Sequence, residues 1–284
     1  MSAGGTANRL CISFWINNKI TKELLVKIAV CIKLVPSIEG IITIKDPSIG
    51  VSEDDAKIGI NAYDEVALEQ AVQLKEKGVA TEVITYTVSN RPKTESTLRA
   101  ALARGADRAV LIEDDSLANA DALNVARVLA KAIQEDEISM VFCGMEATDI
   151  SGGQLPPMLA ECLGWAQVSG VNELETDGSS FKAWRDVGTG TKALISGSGP
   201  VVFSCDKTLN KPRFIKLKDR RQAKKKPFET KTASDIGADV GEISVQYDNW
   251  SLPAKKAECK FIEGDAQTAV QELVRLLREE AKVI

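Results

Sequence analysis

From Val26 onward, strand-length apolar runs alternate with segments of helical period, and this alternation restricts the fold more than any other property of the chain. Residues 27–35, 81–87, 108–112 and 138–143 read as strands. Between them, residues 64–77 place Ala67, Ala71 and Leu74 on one helix face, and residues 119–134 do the same with Val125, Val128, Leu129 and Ala132. Residues 94–103 and 155–163 complete the helical set. Parallel strands need long crossovers, and crossover helices cover both faces of the sheet. The expected class is therefore α/β, with a doubly wound parallel sheet whose ligands sit beyond the strand C-termini. After Gly164 the runs shorten to 167–171, 181–187, 192–195 and 200–204, with glycines between them. These are expected as edge β-strands.

The joint between the strand at 138–143 and its helix is the densest stretch. Residues 144–165 read Gly-Met-Glu-Ala-Thr-Asp-Ile-Ser-Gly-Gly-Gln-Leu-Pro-Pro-Met-Leu-Ala-Glu-Cys-Leu-Gly-Trp. A strand, a small-residue loop at 149–154 and a helix start make a seat for phosphate. Free N–H groups point out of the helix end, and the peptide dipoles favour negative charge there. The loop fits neither G-x-G-x-x-G nor the Walker pattern, so taken alone it also reads as a plain strand-to-helix joint.

Composition narrows the chemistry. The 284 residues contain no histidine, which removes Ser-His-Asp and Cys-His catalysis and histidine metal sites. Cys11, Cys31, Cys143, Cys162, Cys205 and Cys259 lie far apart with no C-x-x-C pair, which argues against iron–sulfur or zinc ligation and for a reducing compartment. Any redox chemistry must come from an organic cofactor. The length holds one large domain, or one domain with an extension. The net charge of −4 argues against nucleic-acid binding. No membrane insertion is expected, since the apolar run at 24–35 is too short and carries Lys27 and Lys33.

The ends of the chain differ from its middle. Residues 1–25 form a leader with two readings. Arg9, Lys19 and Lys22, balanced only by Glu23, allow a targeting segment; an upstream over-extension or disordered lead is the simpler reading. Residues 26–205 read as one α/β domain, which carries the candidate phosphate seat. Residues 206–284 read as a long arm without a repeating unit, ending in a docking helix at 265–281 with Val270, Leu273, Val274 and Leu277 as its apolar stripe.

Five segments together resemble one family, the β subunit of electron-transferring flavoproteins, including its nitrogen-fixation-associated and electron-bifurcating branches. They are residues 27–36 (Lys-Ile-Ala-Val-Cys-Ile-Lys-Leu-Val-Pro), 60–76, 98–108, the 144–155 loop with 158–164, and Lys211-Pro-Arg-Phe-Ile-Lys-Leu217 followed by Ala223-Lys-Lys-Lys-Pro227. The resemblance implies a subunit without independent catalysis, paired with an α subunit that holds an electron-carrying FAD. The heterodimer would shuttle electrons between acyl-CoA-type dehydrogenases and a downstream acceptor, in the bacterial cytoplasm rather than the mitochondrial matrix. The β subunit of that family binds AMP in simple members. In bifurcating members it binds a second FAD, reduced by NADH.

Carried over by position, the nucleotide site comprises Cys31, Asn61, Ala62, Tyr63, Asp64, Val88, Gly144, Asp149, Ser151, Gly152, Gly153, Gln154 and Leu155, and no metal. Asn61 can pair with a base or ribose edge, although Asn61 and Asp64 are also helix-capping types. Asp149 suits a ribose hydroxyl or loop ordering, and Gln154 with the amides of 152–154 suits phosphate oxygens. The family loop is altered here to Asp-Ile-Ser-Gly-Gly-Gln, which keeps backbone donors and leaves Ser151 as the hydroxyl. The signature around Arg185 keeps only one acid, Asp186.

The same resemblance makes residues 213–222 a recognition loop, with Arg213, Leu217 and Gln222 toward the partner and Leu217 as hydrophobic anchor. Burying one leucine contributes about 2 kcal/mol, roughly 30-fold in affinity. A solvated arm also accounts for the basic run at 211–226. Val35-Pro36-Ser37, and Ile38 in place of a family aromatic, lean toward FAD over AMP. The alternative from another class is a stand-alone adenine-nucleotide-binding protein of the universal-stress type.

Overall fold

β1 (Lys27–Cys31) alternates its side chains between two cores, Ile28 and Val30 facing one and Ala29 and Cys31 the other. This is the period-2 pattern of a strand covered on both sides. The computed structural model describes residues 26–37, 42–47, 50–52, 57–91, 94–118, 120–255 and 259–284. The leader at 1–25 and Ile38 lie outside the described residues.

The chain continues through β2 (Leu34–Pro36), β3 (Ile44–Asp46), β4 (Gly50–Val51), β5 (Ile58–Ile60), α1 (Ala62–Glu76), β6 (Glu82–Val88) and α2 (Thr94–Arg104). Next come β7 (Arg108–Ile112), α3 (Ala122–Gln134), β8 (Met140–Gly144), α4 (Leu155–Leu163), β9 (Ala166–Thr176), β10 (Ser180–Asp186), β11 (Lys192–Ser198) and β12 (Val201–Cys205). The last elements are α5 (Leu217–Ala223), β13 (Phe228–Lys231) and α6 (Ala266–Arg275), which runs on as a π-helical turn, Leu276–Glu280.

Nine strands form one sheet in the order β11-β10-β9-β12-β8-β1-β6-β7-β13. From β9 to β13 every neighbouring pair is parallel, and β10 and β11 extend the other edge antiparallel. The helices α1, α2 and α5 supply one core and α3 and α4 the other, so the sheet is doubly wound, as the alternation predicts. Phe203 stacks between Phe142 and Phe181, with ring centroids 5.2 and 5.1 Å away. Aromatic pairs at these separations add about 0.5–1.5 kcal/mol beyond their area.

The described residues up to 42 and those of 53–247 form one compact unit, and those of 43–52 and 248–284 form a second. In the second, β3 and β4 pair as a hairpin and Trp250 donates its amide to Pro47 O at 2.9 Å. None of the residues of α6 is buried. The break thus falls after Tyr247 rather than at 205, because the arm is built into the first unit.

That is one of several departures from the sequence reading. The arm, read only as lacking a repeating unit, carries two regular elements: β13 pairs parallel with β7, and α5 is held to α2 by Arg99, whose Nη1 reaches Ala223 O at 3.2 Å and Lys226 O at 3.0 Å. The strand expected over 27–35 breaks at Lys33, whose amide goes to Asp64 Oδ2 at 2.7 Å instead of to a strand. β2 then turns away to pair with β5.

Candidate functional site

β1 has β6 on one side and β8 on the other. The chain runs outward through β6 and β7, then returns to start again at β8. Crevices at such reversals of strand order collect ligands, because the two following loops leave in opposite directions. A cavity of about 210 Å³ lies there. Cys31, Asn61, Asp64, Val88, Gly144, Gly152, Gly153, Gln154 and Leu155 all line it. Ala62, Tyr63, Asp149 and Ser151 are not on its wall.

Asp64 holds the divergence together. Its carboxylate accepts from Lys33 N at 2.7 Å, Asn61 Nδ2 at 3.0 Å and Gly144 N at 3.0 Å. It thereby supplies to the ends of β1 and β8 the acceptors that each loses where they part. Burial pushes its carboxyl up to about 7 against those hydrogen bonds. Asn61 is equally tied inward. Its amide donates to Asp64 Oδ1 and to Glu146 O at 2.8 Å, and its Oδ1 accepts from Thr148 N at 3.2 Å. Both amide protons are engaged, which leaves Asn61 only its oxygen for the base or ribose contact expected of it, and the side chain does not cap α1. Tyr63 hydrogen-bonds Glu146 Oε1 at 3.2 Å, and Lys207 lies 4.3 Å over its ring.

The loop after β8 keeps its donors free. Ile150 and Ser151 donate to Ala147 O, and both Ser151 (φ 52°) and Gly153 (φ 59°) are left-handed. The amides of Gly152, Gly153, Gln154 and Leu155 donate to no other described residue. Gln154 leaves α4 without a side-chain cap, and Pro156 and Pro157 carry no N–H. The four free amides therefore carry the whole donor capacity of this helix end. Asp149 is drawn away to Lys33, with Nζ 2.8 Å from Oδ2, so it orders the loop and its charge is paired there.

α3 contrasts with α4. Asp121 caps it by accepting from Leu123 N at 2.9 Å and Asn124 N at 3.0 Å, and Asp121 N donates in return to Asn124 Oδ1. These amides, with those of Ser244 and Val245, hold the Asp121 carboxyl below the usual range. The field of α3 is thus met by a fixed negative charge, whereas α4 presents an open positive end to the same cavity. Of the two helix ends, α4 is the one with donors open to an anion. Tyr86, Val125, Leu129 and Cys143 give the cavity an apolar wall, and Glu146 lines it as a further acid.

Several of these residues escaped the sequence reading. Tyr86, Val125 and Leu129 sit at core-facing strand and helix positions, and their pattern does not tell cavity wall from core. Lys33 and Tyr247 line the cavity with no local signal. A larger groove of about 1000 Å³ opens between α2, α5 and β13, but it is walled largely by charged surface side chains and has no glycine loop.

The recognition residues separate. Arg213 is not presented outward: it pairs with Glu69 (Nε–Oε2 2.8 Å) and Glu76 (Nη1–Oε1 2.6 Å) of α1. Leu217 opens α5, a helix rather than a loop, and is 67% exposed. Phe214, beside it, is 90% exposed and was not among the expected contacts. Gln222 is exposed near the end of α5.

Among the described residues no helix is long and apolar enough to cross a membrane. A family model for the electron transfer flavoprotein domain matches residues 49–236. The chain is 34% identical to the electron transfer flavoprotein subunit beta of Bradyrhizobium diazoefficiens, over 91% of this chain and 100% of that protein. It is 37% identical to that of Bacillus subtilis, over 82% and 91% of the two, and 36% identical to that of Mus musculus, over 72% and 80%. These likenesses turn the reading away from the universal-stress type.

Proposed function

The chain belongs to the electron transfer flavoprotein family as a β subunit, and on that premise we propose that its switch-point cavity holds the adenylate part of a nucleotide while the chain pairs with an α subunit. Its role is electron transfer, not independent catalysis. The observation that carries the nucleotide reading is the run of four free amides, Gly152 to Leu155, at the uncapped start of α4. They face a cavity that also offers an apolar wall, Tyr86, Val125, Leu129 and Cys143. This donor set fits a phosphate, and the walls fit a planar ring. AMP and FAD share both features.

In this reading Gly152, Gly153, Gln154 and Leu155 bind phosphate through N–H groups, and the Lys33–Asp149 ion pair holds the loop at the rim. Ser151 is the nearby hydroxyl. Cys31, Cys143 and Val88 form the floor at the strand ends. Asn61 and Asp64 shape the site from behind, and Asp149 fixes the loop. A flavin held mainly by the α subunit supplies the one- and two-electron chemistry. Leu217, with Phe214, offers the apolar anchor to an acyl-CoA-type dehydrogenase, ringed by the charges of α5. The heterodimer acts in the cytoplasm.

The test is co-expression with a flavoprotein α subunit, followed by counting the FAD and AMP released per heterodimer. One of each marks a simple carrier. Two FAD and no AMP mark a bifurcating subunit that takes electrons from NADH. A stable heterodimer whose β subunit retains no nucleotide, and a free chain that binds none, overturn the proposal.

A further inference from the structure

Tyr247 reaches the cavity from the arm, more than a hundred residues after the strands that form the floor. Its position is fixed by a strap. Asn124 Nδ2 donates to Val240 O at 2.6 Å and to Glu242 O at 3.1 Å. Asp121 Oδ2 accepts from Ser244 N at 2.9 Å and Val245 N at 3.2 Å. Gly241 takes the left-handed turn of the strap, at φ 71°. Two residues beyond the last anchor, Tyr247 lines the cavity and is 51% exposed.

The charges divide the cavity into two ends. Free amides gather at α4, and this is the anion end. At α3 the Asp121 carboxylate already accepts four backbone N–H groups, so a phosphate placed there would meet a negative charge with no donor to offer. The α3 end, with Val125 and Leu129 on its wall, suits an uncharged part of a ligand rather than its phosphate. An aromatic ring at the mouth of such a slot is a stacking surface.

We infer that Tyr247 is a ring-stacking residue that makes the site selective for ligands carrying a planar base. The inference rests on the nucleotide reading above and adds which part of the ligand meets the strap. Base–aromatic stacking is sequence-tolerant and contributes about tenfold or more to affinity.

The experiment uses the full-length chain and two probes, AMP and ribose 5-phosphate, the second lacking the base. Tyr247→Ala should weaken AMP about tenfold and leave ribose 5-phosphate unchanged, while Tyr247→Phe and Tyr247→Trp keep wild-type affinity for AMP. Equal losses for the two probes would mean that Tyr247 only braces the fold and would overturn the inference. So would an unchanged AMP affinity in Tyr247→Ala, or a loss in Tyr247→Phe as large as in Tyr247→Ala. If ribose 5-phosphate binds too weakly to measure, the contrast between Ala and Phe decides. A wild-type chain that binds neither probe overturns the nucleotide reading itself, an outcome distinct from the others.

Discussion

Gly144 donates its amide to Asp64 Oδ1 at 3.0 Å, and a Cβ built on Gly144 would stand 2.3 Å from that same oxygen. Glycine is required here by the closeness of α1 to the end of β8, not by backbone conformation. Gly144→Ala would also press on Tyr63 Cβ, 2.7 Å away. It should destabilise the fold by about 1–3 kcal/mol, the range for overpacking a rigid contact. Thermal unfolding checks this, and a melting temperature equal to wild type would show that α1 can yield.

Asp64 makes stability depend on pH. Its carboxyl titrates near 7 in the fold and near 3.8 when free, so the folded state keeps a proton that the unfolded chain has released. The stabilisation is fully present below about pH 4 and is lost as pH rises through about 7, at up to about 1.4 kcal/mol per pH unit. Asp64→Asn cannot titrate, and its amide NH₂ confronts a backbone donor, so it is destabilised at every pH. The stability of wild type minus that of Asp64→Asn, measured by urea unfolding, should shrink between pH 5 and 7 and then level off. A difference independent of pH would show that Asp64 does not titrate in that window.

Arg213→Ala tests the reassignment of a residue first read as a partner contact. Glu69 is nearly buried, which by itself would raise its carboxyl; the Arg213 hydrogen bonds outweigh burial and hold it below its usual range. A folded value below the unfolded one gives stability that is present above about pH 4.5 and lost on acidification. The variant should lose about 1–3 kcal/mol at neutral pH, with a smaller further loss on acidification than wild type. A variant as stable as wild type that fails only in partner binding would restore the first reading.

How far the sequence reveals this molecule depends on range. Period-2 and period-3.6 patterns are local, and they place the helices and the parallel strands to within a few residues. β13 escapes because Phe-Glu-Thr-Lys is short, half exposed and follows a charge run. Nothing local says that it joins β7, more than a hundred residues back. The same holds at the site. Asn61 and Asp64 are visible as capping residue types, yet their partners Gly144 and Thr148 are 80 and 87 residues away. The free amides of 152–155 are legible, since a glycine loop running into a helix start implies them. The Lys33–Asp149 pair, 116 residues apart, is not.

Gly152 separates charge from shape. A Cβ there would meet only Ile150 Cγ2, at 3.7 Å, so Gly152→Ala and Gly152→Asp should both fold. Gly152→Asp sets a carboxylate among the amides proposed for phosphate and should weaken AMP about 30-fold or more, while Gly152→Ala stays within a few fold. Calorimetric titration reads both, and equal affinities would place the anion elsewhere.

Leu217→Ala and Phe214→Ala remove exposed apolar groups, so the melting temperature should not move. Reduction by the partner dehydrogenase should fall, with KM rising by roughly 30-fold for the leucine. Unchanged kinetics in the double variant would locate the partner surface away from α5.

β13 has a consequence for how the molecule is made. During synthesis β7 is finished long before residues 228–231 leave the ribosome, and until then its outer row of backbone donors and acceptors has no strand beside it. Such a row is a template for any extended chain nearby. The last third of the polypeptide therefore seals a sheet that its first two thirds leave open. A chain stopped at 205 would retain the glycine loop after β8 and still be prone to stick to its own kind.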